Sequence, residues 1–166
     1  MKRADLLILL AFAAIFALAP ALWTVWTYER TLSQGKIVLL ALAPVDPRSL
    51  MQGDYMALRF AIDRTLQDAR YDGDARYAYI ALDPAGRASL RQTGNDLPPP
   101  EGSFALRIRR RQGEPTLGPN AFFFQEGQGD DFAAARFGEF RVTPDGKALL
   151  TYLRDADLER LGENLR

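Results

Sequence analysis

The sequence predicts an all-β or β-rich fold: a small barrel or sandwich of about seven short strands with one short helix, on a single N-terminal transmembrane helix. Three observations predict it. Apolar runs of strand length recur from Lys36 to Leu153, Gly and Pro punctuate them, and an uncharged run of 21 residues, Leu6 to Trp26, precedes them all.

At 1.5 Å per helical residue the uncharged run reaches roughly 31 Å, the thickness of a bilayer's hydrocarbon core. Lys2 and Arg3 stand before it, and Trp23, Trp26 and Tyr28 cluster where the helix leaves the hydrocarbon, the depth that amphipathic rings prefer. Pro20 lacks an amide donor and is expected to bend the helix near Phe16. Ala17-Leu18-Ala19 has the look of a cleavage site, and cleavage after Ala21 is the alternative reading. Against a cut after Ala19, Pro20 directly behind it is a poor substrate for the peptidase, and apolar character continues through Leu22, Val25 and Trp26. The expected order is a cytoplasmic tail (1–5), a signal-anchor helix (6–28), a neck (29–35), an extracytoplasmic β-rich domain (36–158) and a tail (159–166). The basic start places the N-terminus inside a bacterial cytoplasmic (inner) membrane and the domain in the periplasm or at the cell exterior.

The first predicted strand is the continuous apolar run Lys36 to Ala43, closed by Pro44 and Pro47. Asp54 to Ile62 alternates, with Met56, Leu58, Phe60 and Ile62 on one face and Tyr55, Ala57 and Arg59 on the other, as a half-buried strand does. Asp63 to Asp74 is polar, a loop or short irregular helix. Tyr77 to Leu82 and Arg87 to Gln92 form a hairpin around Asp83-Pro84-Ala85-Gly86, where Asp-Pro starts a turn and Gly86 takes positive φ. Pro98-Pro99-Pro100 is an extended connector. Phe104 to Arg111 resumes alternation, and another strand is expected around Asn120 to Gln125. Asp131 and Gly138 read as the cap and stop of a short helix. Phe140 to Val142, a Pro144-Asp145-Gly146 turn and Ala148 to Leu153 form the closing hairpin.

Histidine and cysteine are absent, which excludes zinc sites of Cys/His type, haem or iron–sulfur ligation, thiol nucleophiles, a His general base and disulfides. No cofactor is expected. Twenty-one basic and twenty-one acidic residues cancel, so no single-sign field draws nucleic acid to the chain. Catalysis would need a carboxylate pair or a Ser/Lys arrangement, and no spacing announces either, so enzymatic activity is not expected.

Gly53-Asp54-Tyr55-Met56-Ala57-Leu58-Arg59-Phe60 resembles the octapeptide of the GDYXXLXY family of bacterial membrane-anchored proteins, with Phe60 where the pattern has Tyr. Phe122 to Gly127, Ala135 to Val142 and Leu149 to Asp155 are similar to that family's later blocks. The resemblance implies an uncharacterised membrane protein, often encoded beside a polytopic membrane protein, and supplies no catalytic residues.

The binding candidates are Gly53, Asp54, Tyr55 and Arg59 on the motif, with Gln125, Glu126, Arg136 and Glu139 downstream; the plain alternative for Gly53-Asp54 is a strand-entry turn. Ser49 to Asp54 also matches half of the signal-peptidase-type serine peptidase pattern, yet the register puts Val45 at the nucleophile, and Lys147 sits in a turn. That suggests at most a degenerate hydrolase fold without its serine. Arg107, Arg109 and Arg111 share a strand face, read as solvated or as a contact for membrane lipid. Glu126, Asp130, Asp131 and Glu139 form a loose acidic group without the alternating ligands of a calcium loop, and no metal is assigned to it. The leading expectation is an interaction module docking on a polytopic integral membrane protein. An envelope domain binding a ligand through Tyr55, Arg59 and the Gln125 to Glu139 block is the alternative.

Overall fold

The computed structural model describes residues 3–43, 51–52, 55–68, 73–125 and 127–163, and the chain divides into two compact units, Met1–Gln34 and Gly35–Arg166. The first unit is helix α1, Arg3–Gln34, 32 residues with Pro20 inside it. The helix absorbs most of the expected neck: Glu29 to Gln34 contains good helix formers and no breaker before Gly35. Thr24, Thr31 and Ser33 return their hydroxyls to carbonyls four residues back, and the Arg30 guanidinium lies 5.4 Å from the Trp26 ring. Among the described residues no helix is long and apolar enough to cross a membrane. The side chains of residues 3–11 and 14 are outside the description, and part of the uncharged run falls there.

The second unit is β-rich, in more and shorter strands than expected. Strands β1 (Lys36–Ala41), β10 (Phe137–Val142), β11 (Ala148–Arg154) and β12 (Arg160–Glu163) form one antiparallel sheet in that order. A second sheet joins β2 (Met51–Gln52), β3 (Tyr55–Ala57) and β9 (Ala121–Phe123). A third places β4 (Tyr77–Leu82) between β5 (Ala88–Gly94) and β6 (Phe104–Arg107), and β7 (Arg109–Arg111) pairs with β8 (Glu114–Thr116).

The two expected hairpins form. The Asp83 carboxylate accepts the amides of Ala85 and Arg87, each at 2.9 Å, and pairs with the Arg87 guanidinium, while Gly86 sits at φ 81°. In the closing hairpin Thr143 and Asp145 bond across the turn and Gly146 takes φ 82°. The Pro98 to Pro100 connector is held by Tyr79, whose hydroxyl donates to the Asp96 carbonyl and accepts the Asp96 amide.

Four expectations are corrected. The Asp54 to Ile62 strand stops at Ala57; Leu58 and Arg59 are irregular, Phe60 makes a lone bridge to Leu42, and helix α2 begins at Ala61 and runs to Gln67. The alternation still predicted burial correctly, because Met56, Leu58, Phe60 and Ile62 are all buried. Phe104 to Arg111 breaks at Ile108, and its second half folds back through Gln112 and Gly113, both at positive φ, onto a strand the sequence hid. The helix at Asp131 to Gly138 is one 3₁₀ turn, Gly129–Phe132, with no side-chain cap, and Gly138 lies inside β10. Residues 160–163, expected in a tail, form the edge strand β12.

The core gathers side chains from the three larger sheets. Phe60 meets Phe140 edge-on at 5.4 Å, and Phe132 contacts both Phe122 and Phe124, at 5.1 and 5.0 Å. Of the three successive phenylalanines, Phe122 and Phe124 point inward and Phe123 outward, beside Tyr55 at 6.0 Å.

Candidate functional site

Two clusters of charge stand out in the β-rich unit. The first is buried. A register shift between Glu139 and Phe140 leaves Thr151 as the extra residue of β11, and its hydroxyl donates to the Glu139 carbonyl at 3.1 Å. Strand β10 thereby carries the Glu139 side chain to a place with no solvent exposure. There its carboxylate accepts Arg154 Nε at 2.6 Å, Arg160 Nε at 3.1 Å and Arg160 Nη2 at 2.8 Å. Burial alone would push this carboxyl up, but hydrogen bonds and charge from Arg160 and Arg154 outweigh it and hold it below the usual carboxylate range. Arg154 also donates to the Leu158 carbonyl, and Arg160 stacks 4.1 Å from the Tyr152 ring. Both carboxylate oxygens are engaged. Glu139 is therefore a structural anchor for β12 and not the open binding residue the sequence suggested.

The second cluster is a cleft of about 740 Å³, lined by the segment Ala57 to Phe60, α2, the β7–β8 hairpin and Gly118 to Asn120. Phe60 closes its inner end. A Cβ on Gly118 would lie 2.2 Å from Phe60 Cε2, so glycine is required where the two approach. Asp63 ties α2 to the chain after β8, accepting the Leu117 amide at 3.0 Å and the Thr116 hydroxyl at 2.8 Å. Burial pushes its carboxyl up, and these hydrogen bonds only partly offset that. Gln67 donates to Glu114 across the rim at 3.1 Å. Arg59, Arg64 and Arg111 also line the cleft, from three different elements. Among the described residues none of the three forms an ion pair or a side-chain hydrogen bond.

The expected site is thus dispersed. Gly53, Asp54 and Glu126 lie outside the described residues. Tyr55 is half-buried on β3 beside Phe123, while Arg59, expected on the same strand face, lies beyond the strand's end in the cleft. Gln125 is exposed and its carbonyl accepts the Gln128 amide at 3.1 Å. Arg136 is exposed and turns its guanidinium back onto the Ala135 carbonyl at 2.8 Å. The Gln125 to Glu139 block contributes nothing to the cleft wall. Among the described residues no group of three acidic side chains is placed to hold a metal ion.

Within the octapeptide, Leu58 and Phe60 are core residues, and Phe60 is enclosed by Phe140, Gly118 and Gly138. The motif is in this part a packing signature. A model for the family described as GDYXXLXY protein matches residues 17–153. The chain belongs to the GDYXXLXY family. No curated protein and no solved structure matches it.

In this GDYXXLXY protein Val45 and Ser49 lie outside the described residues, and Lys147 is exposed, paired with Asp145 at 3.5 Å. An exposed lysine ion-paired in a turn is not the buried, desolvated base that a Ser/Lys arrangement places beside its nucleophile. The sequence missed Arg64, Arg111, Asp63 and Gln67 as neighbours. The one signal for them was the run of arginines at Arg109 to Arg111, whose fold-back onto β8 could not be foreseen.

Proposed function

We propose that this protein is a membrane-anchored, extracytoplasmic interaction module that docks on a polytopic integral membrane protein of the bacterial inner membrane. One observation carries the reading: between Phe12 and Tyr28, large apolar side chains stay exposed all round α1, from 50% at Tyr28 to 85% at Phe16. A helix apolar on every side is adapted to lipid or to a neighbouring helix, since water penalises such a surface. Trp23 and Trp26 lie toward its polar end, as at a membrane interface.

Because the chain has no cysteine, an S89C variant at an exposed strand position gives an unambiguous topology readout. The expected result is that alkaline carbonate leaves the protein in the membrane pellet, a membrane-impermeant maleimide labels S89C in intact cells, and gentle purification recovers one dominant integral partner. Labelling only after lysis, or repeated recovery of a lone protomer, would contradict the proposal.

A second reading, an envelope ligand-binding domain, draws on the cleft, whose volume falls in the range of small-molecule sites, roughly 300–1,000 Å³. It takes Arg59 from the expected site and replaces Tyr55 and the Gln125 to Glu139 block with α2 and the β7–β8 hairpin.

A further inference from the structure

We propose that the cleft binds a small soluble organic anion bearing two or more carboxylate or phosphate groups, gripped by Arg59, Arg64 and Arg111. The proposal rests on the ligand-binding reading and names the ligand class. Three cations converge on one concavity from the chain after β3, from α2 and from the end of β7. Like charges brought together repel unless an anion offsets them, and the usual intramolecular solution is a carboxylate. The two acidic residues of the wall are otherwise engaged: Asp63 holds the Thr116 hydroxyl and Leu117 amide, and Glu114 holds Gln67.

The contrast with Glu139 is direct, for there two arginines share one acid and engage both its oxygens. In the cleft the three guanidiniums have no side-chain partner among the described residues, and such planar forks recognise oxyanions bidentately. Gln112 and Asn120 add neutral polar groups to the same wall, and Phe60, Pro115 and Pro119 add an apolar backing. Three cations match a multiply charged ligand better than the single phosphate of a diacyl lipid headgroup.

Calorimetric titration and thermal unfolding of the full chain in phosphatidylcholine nanodiscs test this with citrate, inorganic pyrophosphate and neutral maltose. A parallel arm uses nanodiscs containing phosphatidylglycerol. At least one of the two soluble anions is expected to bind saturably and raise the unfolding midpoint. R59Q, R64Q and R111Q should each weaken binding by about 3- to 10-fold and the triple variant by at least about 30-fold, with the unliganded midpoint not lowered, because the substitutions relieve repulsion among the three cations. R91Q, an exposed β5 residue outside the cleft, should bind as the unaltered chain does.

Equal affinity in the triple variant and in R91Q overturns the assignment. So does a response to phosphatidylglycerol alone. A response to maltose without one to either anion overturns the anion assignment but leaves the ligand-binding reading standing, whereas silence from every probe removes both.

Discussion

The buried Glu139 cluster and the cleft use the same arginines-and-carboxylates chemistry to opposite ends. At Glu139 one carboxylate with no exposure is shared by Arg154, which is 20% exposed, and Arg160, which is 42% exposed. In the cleft three arginines are part of the lining, and among the described residues no carboxylate pairs with them. Charges that satisfy one another fix a strand edge; charges left unsatisfied keep their binding capacity. Residue type alone does not separate the two roles, and the partner does.

The comparison breaks most visibly at Glu139. Replacing it with alanine leaves two partly buried guanidiniums without their acceptor, and the expected loss is about 3 kcal/mol, toward the lower end for a buried pair because Arg160 is partly hydrated. Urea unfolding of the full chain in detergent measures it, and a change under about 1 kcal/mol would show that solvent replaces the carboxylate without difficulty.

Gly118→Ala tests the inner end of the cleft. The added methyl falls inside the Phe60 ring's contact distance, so a loss of about 1–3 kcal/mol is expected on the same unfolding curve. An unchanged midpoint would mean that Phe60 moves aside at no cost.

The pH dependence sharpens the contrast between Glu139 and Asp63. Glu139 has its folded-state pKa lowered, so its stabilisation is present above the unfolded carboxylate value and is lost as pH falls through the folded one. Asp63 has its folded-state pKa raised, so its contribution is present below the unfolded value and is lost as pH rises through the folded one. Melting temperatures between about pH 3 and pH 7 should therefore show a shallower acid-side loss in Glu139→Gln and a steeper one in Asp63→Asn. Identical slopes in both variants would remove the distinction.

The smallest effect belongs to the cleft itself. Arg111→Gln should alter unfolding free energy by less than about 0.5 kcal/mol, whereas Arg154→Gln should cost about 1–3 kcal/mol by stripping hydrogen bonds from a buried charge. Comparable losses at both positions would place Arg111 in the structural framework.

Much of the fold was legible where the signal was local. The Asp83 and Asp145 turns, the apolar run of β1 and the inward Met56, Leu58, Phe60 and Ile62 all follow from spacing within a few residues. β8 was hidden because Glu114-Pro115-Thr116 is short and carries a proline, and β12 because Arg160 and Glu163 look like a solvated tail. Asp131 mimicked a helix cap, yet only four residues there coil into a 3₁₀ turn. Of the cleft, Arg59 was singled out with strand neighbours it does not have.

By itself the sequence determined the uncharged N-terminal run, the β-rich character that follows it, the turns that punctuate it and the absence of histidine and cysteine chemistry. These are properties of composition and of periods two to four residues long. Only the tertiary structure decided that Glu139 is enclosed by arginines 15 and 21 residues away, and that Arg59, Arg64 and Arg111 share one wall. The reason is physical: a side chain's neighbours depend on which strands pair and where each one folds back. That selection is made by packing the whole core at once, beyond the reach of any local pattern.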